Sequence, residues 1–333
     1  EPAEDRLINA YEQTQDAPWE RDPVMREIIA IARNTFKEAI RNRILYIILI
    51  FALILIAFSG VLSELSITEQ MKVVKSLGFM SINFFAMAIA VFVGVSLVYN
   101  ELEKKSIYTI VSKPIGRGQF LIGKYIGLLL TVYVNVLLMS YFFLVAIHYY
   151  TGRQGEGSFL GVLGGSFGKA LVDLFLWNHY AVTANIMQVI VITCMELMIV
   201  TAFSVLYSSF STPTLSMIFT VLTFIAGRLN EDIIRFSEQI YRNAYKAARA
   251  ANVPLEVPLS CRLTNVAAHI VPNLGAFSKT VEQAIYENRV QIWPGTILYG
   301  LLYTAGVLSL SILIFMRRNF KSERGDPGTS PCC

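Results

Sequence analysis

Long apolar runs without charge are the feature of this sequence that most constrains its fold. Four runs, at residues 44–62, 77–99, 125–147 and 293–315, contain no Asp, Glu, Lys or Arg. Crossing a hydrocarbon core of about 30 Å takes about 20 helical residues. Because backbone polar groups must find partners inside lipid, each run predicts one membrane-spanning α-helix.

Two weaker runs complete the prediction. Residues 183–207 are interrupted only by Glu196, and residues 214–226 form a short run that the uncharged bend 208–213 extends. The chain is 54% hydrophobic and 16% charged, whereas soluble domains are about 25% charged. We therefore predict an all-α polytopic membrane protein with six transmembrane helices.

Lys and Arg are unevenly distributed between the connecting segments. The segments before 44, at 100–124 and after 316 hold 7, 5 and 4 of them, whereas the segments on the other side hold 12, eight of which lie in the long segment 227–292. Basic residues mark the cytoplasmic side in short segments, but long segments cross largely regardless of charge. We therefore expect a cell (inner) membrane protein with both termini in the cytoplasm.

The chain divides into consecutive parts. The predicted parts are a polar N-terminal extension (1–24), an amphipathic interfacial helix (25–43), transmembrane helices 1–5 (44–226) with a cytoplasmic coupling segment (100–124), an external helical or re-entrant segment (227–292), transmembrane helix 6 (293–316) and a disordered cytoplasmic tail (317–333). The apolar face of the interfacial helix consists of Ile29, Ala32, Phe36 and Ile40.

The external segment contains two further signals. Asn230 can cap a helix that runs toward Ala251. Residues 265–277 are apolar but too short to span, and Pro272 with Asn273 breaks them before Phe277. This pattern predicts a re-entrant or interfacial hairpin.

Glu196 is the only acid well inside a predicted span. A carboxylate in lipid costs about 2.5 kcal/mol or more, so it should face a cavity or a partner helix. It could line a translocation path or gate, which we favour, or it could pair with a Lys or hydrogen-bond to a neighbouring helix. The small residues Ala86, Ala90 and Gly94 form a stripe on the second span, which lets a helix from this chain or from a second copy approach closely.

Three patterns that could carry chemistry fail in their details. Residues 118–124 match the start of a phosphate-binding loop, but Tyr125 stands where a hydroxyl for Mg²⁺ is required. Met187, Cys194 and Met198 share a helix face, but no His joins them and Met is common filler. No hydrolase triad surrounds the three histidines, and the net charge of +4 is small and dispersed. We therefore predict no catalytic residue, no metal site and no nucleic-acid partner.

The segment 99–124 resembles the linker between the second and third spans of ABC-2 type permeases, which are the membrane-spanning subunits of ABC exporters. In that family the linker has an acidic start, a Thr-Ile-x-x-x-x-Pro core, an Arg, and a Gly-Lys that enters the next span. The matching residues are Glu101, Glu103, Thr109, Pro114, Arg117, Gly123 and Lys124. The usual Gly before the Thr is absent. Residues 270–277 are similar to an external segment of the subfamily that includes the permease of nitrous-oxide reductase maturation.

The resemblance implies a half-transporter without a cofactor of its own. Two copies, or two related permeases, would form twelve spans in membrane lipid, and a separate ATPase that binds ATP and Mg²⁺ would dock beneath each. It implies ATPase coupling through Glu101, Glu103, Lys104, Thr109, Pro114 and Arg117. It implies export of a substrate that the sequence does not identify.

Two alternatives stay open. A permease-like scaffold could pass ATPase motion to an external accessory protein without carrying a substrate, and the large segment 227–292 keeps that alternative open. A stand-alone secondary transporter would need several coupled charges inside the membrane, and the predicted spans hold one.

The coupling segment leads to a first prediction. Replacing Glu101 and Glu103 by Ala should weaken binding of the ATPase, because the acidic start of the linker is lost, while membrane insertion stays intact. Co-purification of the ATPase with the chain measures the effect. Unchanged co-purification would mean that the segment is only a solvated loop with routine basic residues.

Overall fold

The computed structural model describes residues 23–64, 70–103, 116–153, 181–251, 271–286 and 294–317. This described part is all-helical, which confirms the predicted fold class. Its eight helices, in chain order, are α1 (Pro23–Ile40), α2 (Arg43–Glu64), α3 (Gln70–Glu103), α4 (Arg117–Arg153), α5 (Ala181–Phe210), α6 (Pro213–Ala251), α7 (Gly275–Tyr286) and α8 (Pro294–Arg317).

Five of the described helices are long and apolar enough to cross a membrane. Their apolar parts are Arg43–Leu62, Gln70–Ser96, Gly118–Ile147, Ile186–Phe210 and Pro294–Arg317. They correspond to five of the six predicted runs. The remaining run, 214–226, forms the beginning of α6, where Arg228 and other polar residues follow at once. The number of six spans therefore stays a prediction.

The centre of the bundle is formed by α3 and α5. The apolar part of α5 is 78% buried, whereas those of α8 and α2 are only 22% and 28% buried. Two tyrosines on α4 fix that helix against α5, since Tyr125 donates to the carbonyl of Met198 and Tyr133 to that of Cys194, both at 3.1 Å. The outer helices α2 and α8 therefore leave most of their apolar surface outside the bundle.

Small residues hold α1 against the beginning of α4. Ala32, Thr35 and Ala39 are buried on α1. On α4, a Cβ atom at Gly127 would lie 2.5 Å from the carbonyl oxygen of Ala32. The close backbone approach therefore requires a glycine at this position. We call the end of the bundle that carries this contact the α1 end, and the other the far end.

The structure modifies the predicted interfacial helix. It begins at Pro23 and ends at Ile40, and the side chain of Asn42 then caps α2 by accepting a hydrogen bond from the Ile44 amide at 3.0 Å. The packed face contains Ala32, which belongs to the predicted apolar face, together with Thr35 and Ala39, which do not. Ile29 is exposed because α4 covers a neighbouring side of the helix.

The prediction placed a helix boundary within α6 that the structure does not have. A separate helix capped by Asn230 was predicted, but α6 runs without a break for 39 residues. Asn230 lies inside the helix and is buried, and its Nδ2 donates to the carbonyl of Val271 at 3.1 Å. At 1.5 Å per residue, α6 is about 58 Å long, almost twice the thickness of a hydrocarbon core.

The contact between α1 and α4 yields a second prediction. Gly127→Val should lower stability by about 1–3 kcal/mol, because the added side chain must displace the α1 backbone. The midpoint of thermal unfolding in detergent measures the loss. The control is Gly306→Val on α8, since a Cβ atom there meets nothing within 4 Å. Equal midpoints for the two variants would contradict the close packing of α1.

Candidate functional site

A carboxylate, a guanidinium and an amide meet where α3, α5 and α6 come together. Arg228 on α6 donates from Nε to Oε1 of Glu196 at 2.8 Å and from Nη2 to Oε2 at 2.9 Å. Asn83 on α3 donates from Nδ2 to Oε2 of the same carboxylate at 2.9 Å. Glu196, on α5, is fully buried. One carboxylate therefore connects three helices.

The ion pair between Glu196 and Arg228 has the geometry of a strong interaction. Two parallel N–H···O bonds between a guanidinium and a carboxylate are charge-assisted and directional. The Arg228 guanidinium also lies 5.3 Å from the centre of the Phe224 ring, one turn earlier on α6. The side chain of Arg228 is 29% exposed. A buried charge without these partners would be costly, so the contacts fix the position of α6 against α5.

The level of the pair along the bundle follows from the helix lengths. Glu196 lies 14 residues before Phe210, and Arg228 lies 15 residues after Pro213. At about 1.5 Å per residue, both are roughly 21–23 Å from the turn that joins α5 to α6. The ion pair therefore lies beyond the middle of a 30 Å hydrocarbon core, toward the far end.

The residue before Arg228 attaches the next segment of the chain. The amide of Leu274 donates to the carbonyl of Gly227 at 3.0 Å. A Cβ atom at Gly227 would lie 2.8 Å from the Leu274 side chain and 2.9 Å from the Pro272 carbonyl oxygen. Gly227 is needed here because two backbones meet. The segment at 271–274 therefore sits directly beside the ion pair on α6.

Further contacts tie this segment to α6 and α8. Asn273 caps α7, because its side-chain Oδ1 accepts a hydrogen bond from the Ala276 amide at 3.3 Å. The backbone amide of Asn273 donates to the hydroxyl of Tyr299 at 2.8 Å. On α7, Lys279 forms an ion pair with Glu231 of α6. Of the predicted hairpin residues, Pro272 and Phe277 are buried as well. The segment 271–286 thus joins α6 to α8.

The groups at this junction are a carboxylate, a guanidinium and an amide, which hold one another by directional hydrogen bonds. Within the described residues, no group of three or more His, Cys, Asp or Glu could hold a metal ion. Cys194 is a free thiol two residues before Glu196 on α5. The site is a polar junction in an apolar bundle, and its contacts are directional, so they are either made or broken when the helices shift.

The predicted coupling residues are only partly described. Lys104, Thr109 and Pro114 lie outside the described residues. Glu101 and Glu103 lie in the last turn of α3, and α4 begins at Arg117. The described ends of the coupling segment, which are the last turn of α3 and the first residues of α4, therefore lie at the α1 end of the bundle.

The stripe of small residues on α3 lies inside the helix bundle. Ala86 and Ala90 are 0% and 1% exposed, and a Cβ atom at Gly94 would lie 2.5 Å from the Ser204 hydroxyl oxygen of α5. At Gly94 the stripe therefore faces a helix of the same chain.

Sequence reasoning missed the partners of Glu196. Arg228 was assigned to the external segment because the apolar run ends at residue 226, and Asn83 was one polar residue within a long apolar run. The signal that could have found Arg228 is electrostatic. An intramembrane acid needs a cation, and Arg228 is the first basic residue after the span that follows Glu196.

Comparison with known proteins extends these observations. The model of a family described as ABC-2 family transporter protein matches residues 29–320. A curated relative, the probable ABC transporter permease protein NosY of Stutzerimonas stutzeri, is 29% identical over 157 residues, which cover 45% of this chain and 54% of that protein. The chain thus matches about half the length of this relative.

The five apolar helices define a multi-pass membrane protein, and the matched residues include all five of them completely. The chain belongs to the ABC-2 family of transporter proteins. This confirms the resemblance that the linker between α3 and α4 indicated. The chain is accordingly a multi-pass membrane protein of this transporter family.

The ion pair leads to a third prediction. Arg228→Ala should lower stability by about 3–5 kcal/mol, since it leaves the buried Glu196 charge without its partner, and Glu196→Gln should cost less because Arg228 is partly exposed. The double variant should lose less stability than the sum of the losses in the two single variants. Thermal unfolding in detergent of the four proteins gives the coupling free energy.

A matched pair on the surface of α6 supplies the control. Arg242 and Glu238 are also an Arg–Glu pair, but their side chains are 73% and 60% exposed. The same substitutions there should change stability by at most about 0.5 kcal/mol. If the buried and the exposed pairs gave the same coupling, the junction would not hold the bundle together.

Proposed function

We propose that this chain is the membrane-spanning permease of an ABC-2 type exporter, which moves a substrate by alternating access driven by a separate ATPase subunit. Membership of the family over residues 29–320 carries the proposal. The substrate is left unassigned. A second copy or a related permease would complete the transporter.

The position of the coupling segment suggests how ATPase motion would enter the bundle. This segment joins α3 to α4, and α4 carries α1 through the contact at Gly127. A force at the coupling segment would therefore act on α3 and on the unit of α1 and α4. Asn83 lies 20 residues before Glu103 on the same helix, or about 30 Å away. A single helix thus connects the coupling segment to the ion pair.

The two sides of the ion pair differ in strength. Arg228 binds Glu196 through two charge-assisted bonds, whereas Asn83 contributes one bond from a neutral amide. These polar contacts therefore hold α6 to α5 more strongly than they hold α3 to either helix. We infer that alternating access uses a shift of α3 against α5.

A fourth prediction tests this shift. The Cβ atom built at Gly94 lies 3.4 Å from the Cβ atom of Ser204, close to the about 3.8 Å of disulfides. In a chain whose native cysteines are replaced by Ser, Gly94→Cys with Ser204→Cys should form a disulfide that holds α3 against α5. In the purified complex with its ATPase, oxidation should then abolish ATP hydrolysis.

Two controls make the result specific. Reduction of the same double variant should restore ATP hydrolysis, and Ser204→Cys alone should not respond to oxidation. Continued hydrolysis by the oxidised double variant would contradict a shift of α3 against α5. The exporter assignment is tested first by purifying the chain in mild detergent and identifying its partners by mass spectrometry. A stoichiometric ATPase in the complex is the expected result. A chain that purifies without any ATPase would overturn the exporter assignment itself.

One observation favours a second candidate function. The segment 271–286 is attached to α6 beside the ion pair and to α8 through Tyr299. It could pass helix motion to an external accessory protein without transport of a substrate. ATP hydrolysis that occurs only after such a protein is added would favour this scaffold, whereas hydrolysis by the complex alone would favour the exporter.

A further inference from the structure

Three exposed basic residues form a row along α1. Arg26, Arg33 and Lys37 are all exposed. Because a helix turns by about 100° per residue, intervals of seven and four residues direct these side chains to within about 40° of one another. The ion pairs between described residues do not include them. We call these three residues the α1 basic row.

The basic row borders an apolar side of the same helix. The members of this side are Met25, Ile29, Phe36 and Ile40. Met25 and Ile29 are 44% and 39% exposed, and the other two are half-buried. By the same rotation, the apolar side lies between the basic row and the face that packs against α4. The described part of the chain therefore leaves an apolar side and a basic row next to each other and accessible.

The acidic residues of α1 show which way the helix faces. Glu27 and Glu38 are directed about 180° away from the middle of the apolar side. When the apolar side faces acyl chains, these acids therefore face water. The basic row then lies on the edge of α1 that α4 does not cover. Cations on such an edge of an interfacial helix lie beside the lipid headgroups.

The beginning of α2 sets the depth of the basic row. Helix α1 ends at Ile40, and α2 begins at Arg43. The part of α2 that can cross a membrane starts at this same residue. The end of α1 therefore lies at the boundary of the hydrocarbon core, where the headgroups begin. The close contact at Gly127 of α4 holds α1 at this level.

We propose that the α1 basic row binds the phosphate groups of anionic phospholipids in the leaflet at the α1 end, with their acyl chains against the apolar side. Guanidinium and ammonium groups form charge-assisted hydrogen bonds to phosphate. A protein partner fits less well, because the apolar side lies at the depth of the acyl chains, which a water-soluble protein does not reach. The inference concerns a lipid site and does not rest on the exporter assignment.

Titration with a soluble anionic lipid tests the inference. The full chain, purified in mild detergent, is titrated with dioctanoylphosphatidylglycerol, and native mass spectrometry counts the bound lipid. The combined substitutions Arg26→Gln, Arg33→Gln and Lys37→Gln should raise the dissociation constant at least about tenfold, since each cation near the headgroups contributes to the attraction. The thermal midpoint without lipid should stay unchanged, because the row forms no ion pair with described residues. The zwitterionic dioctanoylphosphatidylcholine should bind more weakly to the parent chain.

A matched control removes the same three charges at the other end of the bundle. Arg235, Arg242 and Lys246 are exposed on α6, and their combined replacement by Gln should change the dissociation constant by less than about twofold, because they lie well beyond the screening length of about 10 Å. In lipid particles extracted from vesicles of equal parts phosphatidylglycerol and phosphatidylcholine, the parent and the control should be enriched in phosphatidylglycerol. The basic-row variant should lose this enrichment.

Four outcomes would overturn the inference. Equal losses in the two triple variants would mean that the lipid senses net charge rather than the row. Equal binding of the two lipids would remove the selectivity for anions. Displacement of the lipid by an equal concentration of inorganic phosphate would identify a site for free phosphate. Unchanged lipid binding together with lost co-purification of the ATPase would identify the row as a protein contact.

Discussion

A charge buried among apolar helices must have a partner, and this requirement organises the bundle. Glu196 is fully buried on the most buried spanning helix. Its charge is balanced by Arg228, and its second oxygen also receives the Asn83 amide. Because a broken buried pair costs several kcal/mol, the three helices can occupy only arrangements in which these groups meet or are rehydrated. The apolar contacts around them are far less directional.

The junction also sets the position of the segment that follows. Gly227 precedes Arg228, and its carbonyl accepts the Leu274 amide. A shift of the ion pair would therefore also move the segment 271–286, which contacts α8 through Tyr299. On the α1 end, glycines of α4 allow α1 to pack closely against it. The two ends of the bundle thus carry rigid attachments, and α3 connects them.

The sequence predicted some of these features and missed others for identifiable reasons. Residues 44–62 and 293–315 read directly as spans because length and absence of charge suffice. The stripe at Gly94 predicted a close helix, but its neighbour could not be named, since a helix of this chain and one of a second copy offer the same chemistry. Asn230 looked like a cap because Asn often caps helices, yet it lies inside the continuous α6 and its side chain instead donates to the carbonyl of Val271.

The sequence by itself determined the environment, the fold class and the family. Apolar runs of about 20 residues have few other uses, and the linker between α3 and α4 carries local motif residues that need no structure to be recognised. Only the tertiary structure decided which groups meet. Asn83, Glu196 and Arg228 are separated by 113 and 32 residues along the chain. No local periodicity encodes such a meeting, because it depends on how the helices pack. The same packing decided which face of α1 remains outside the bundle.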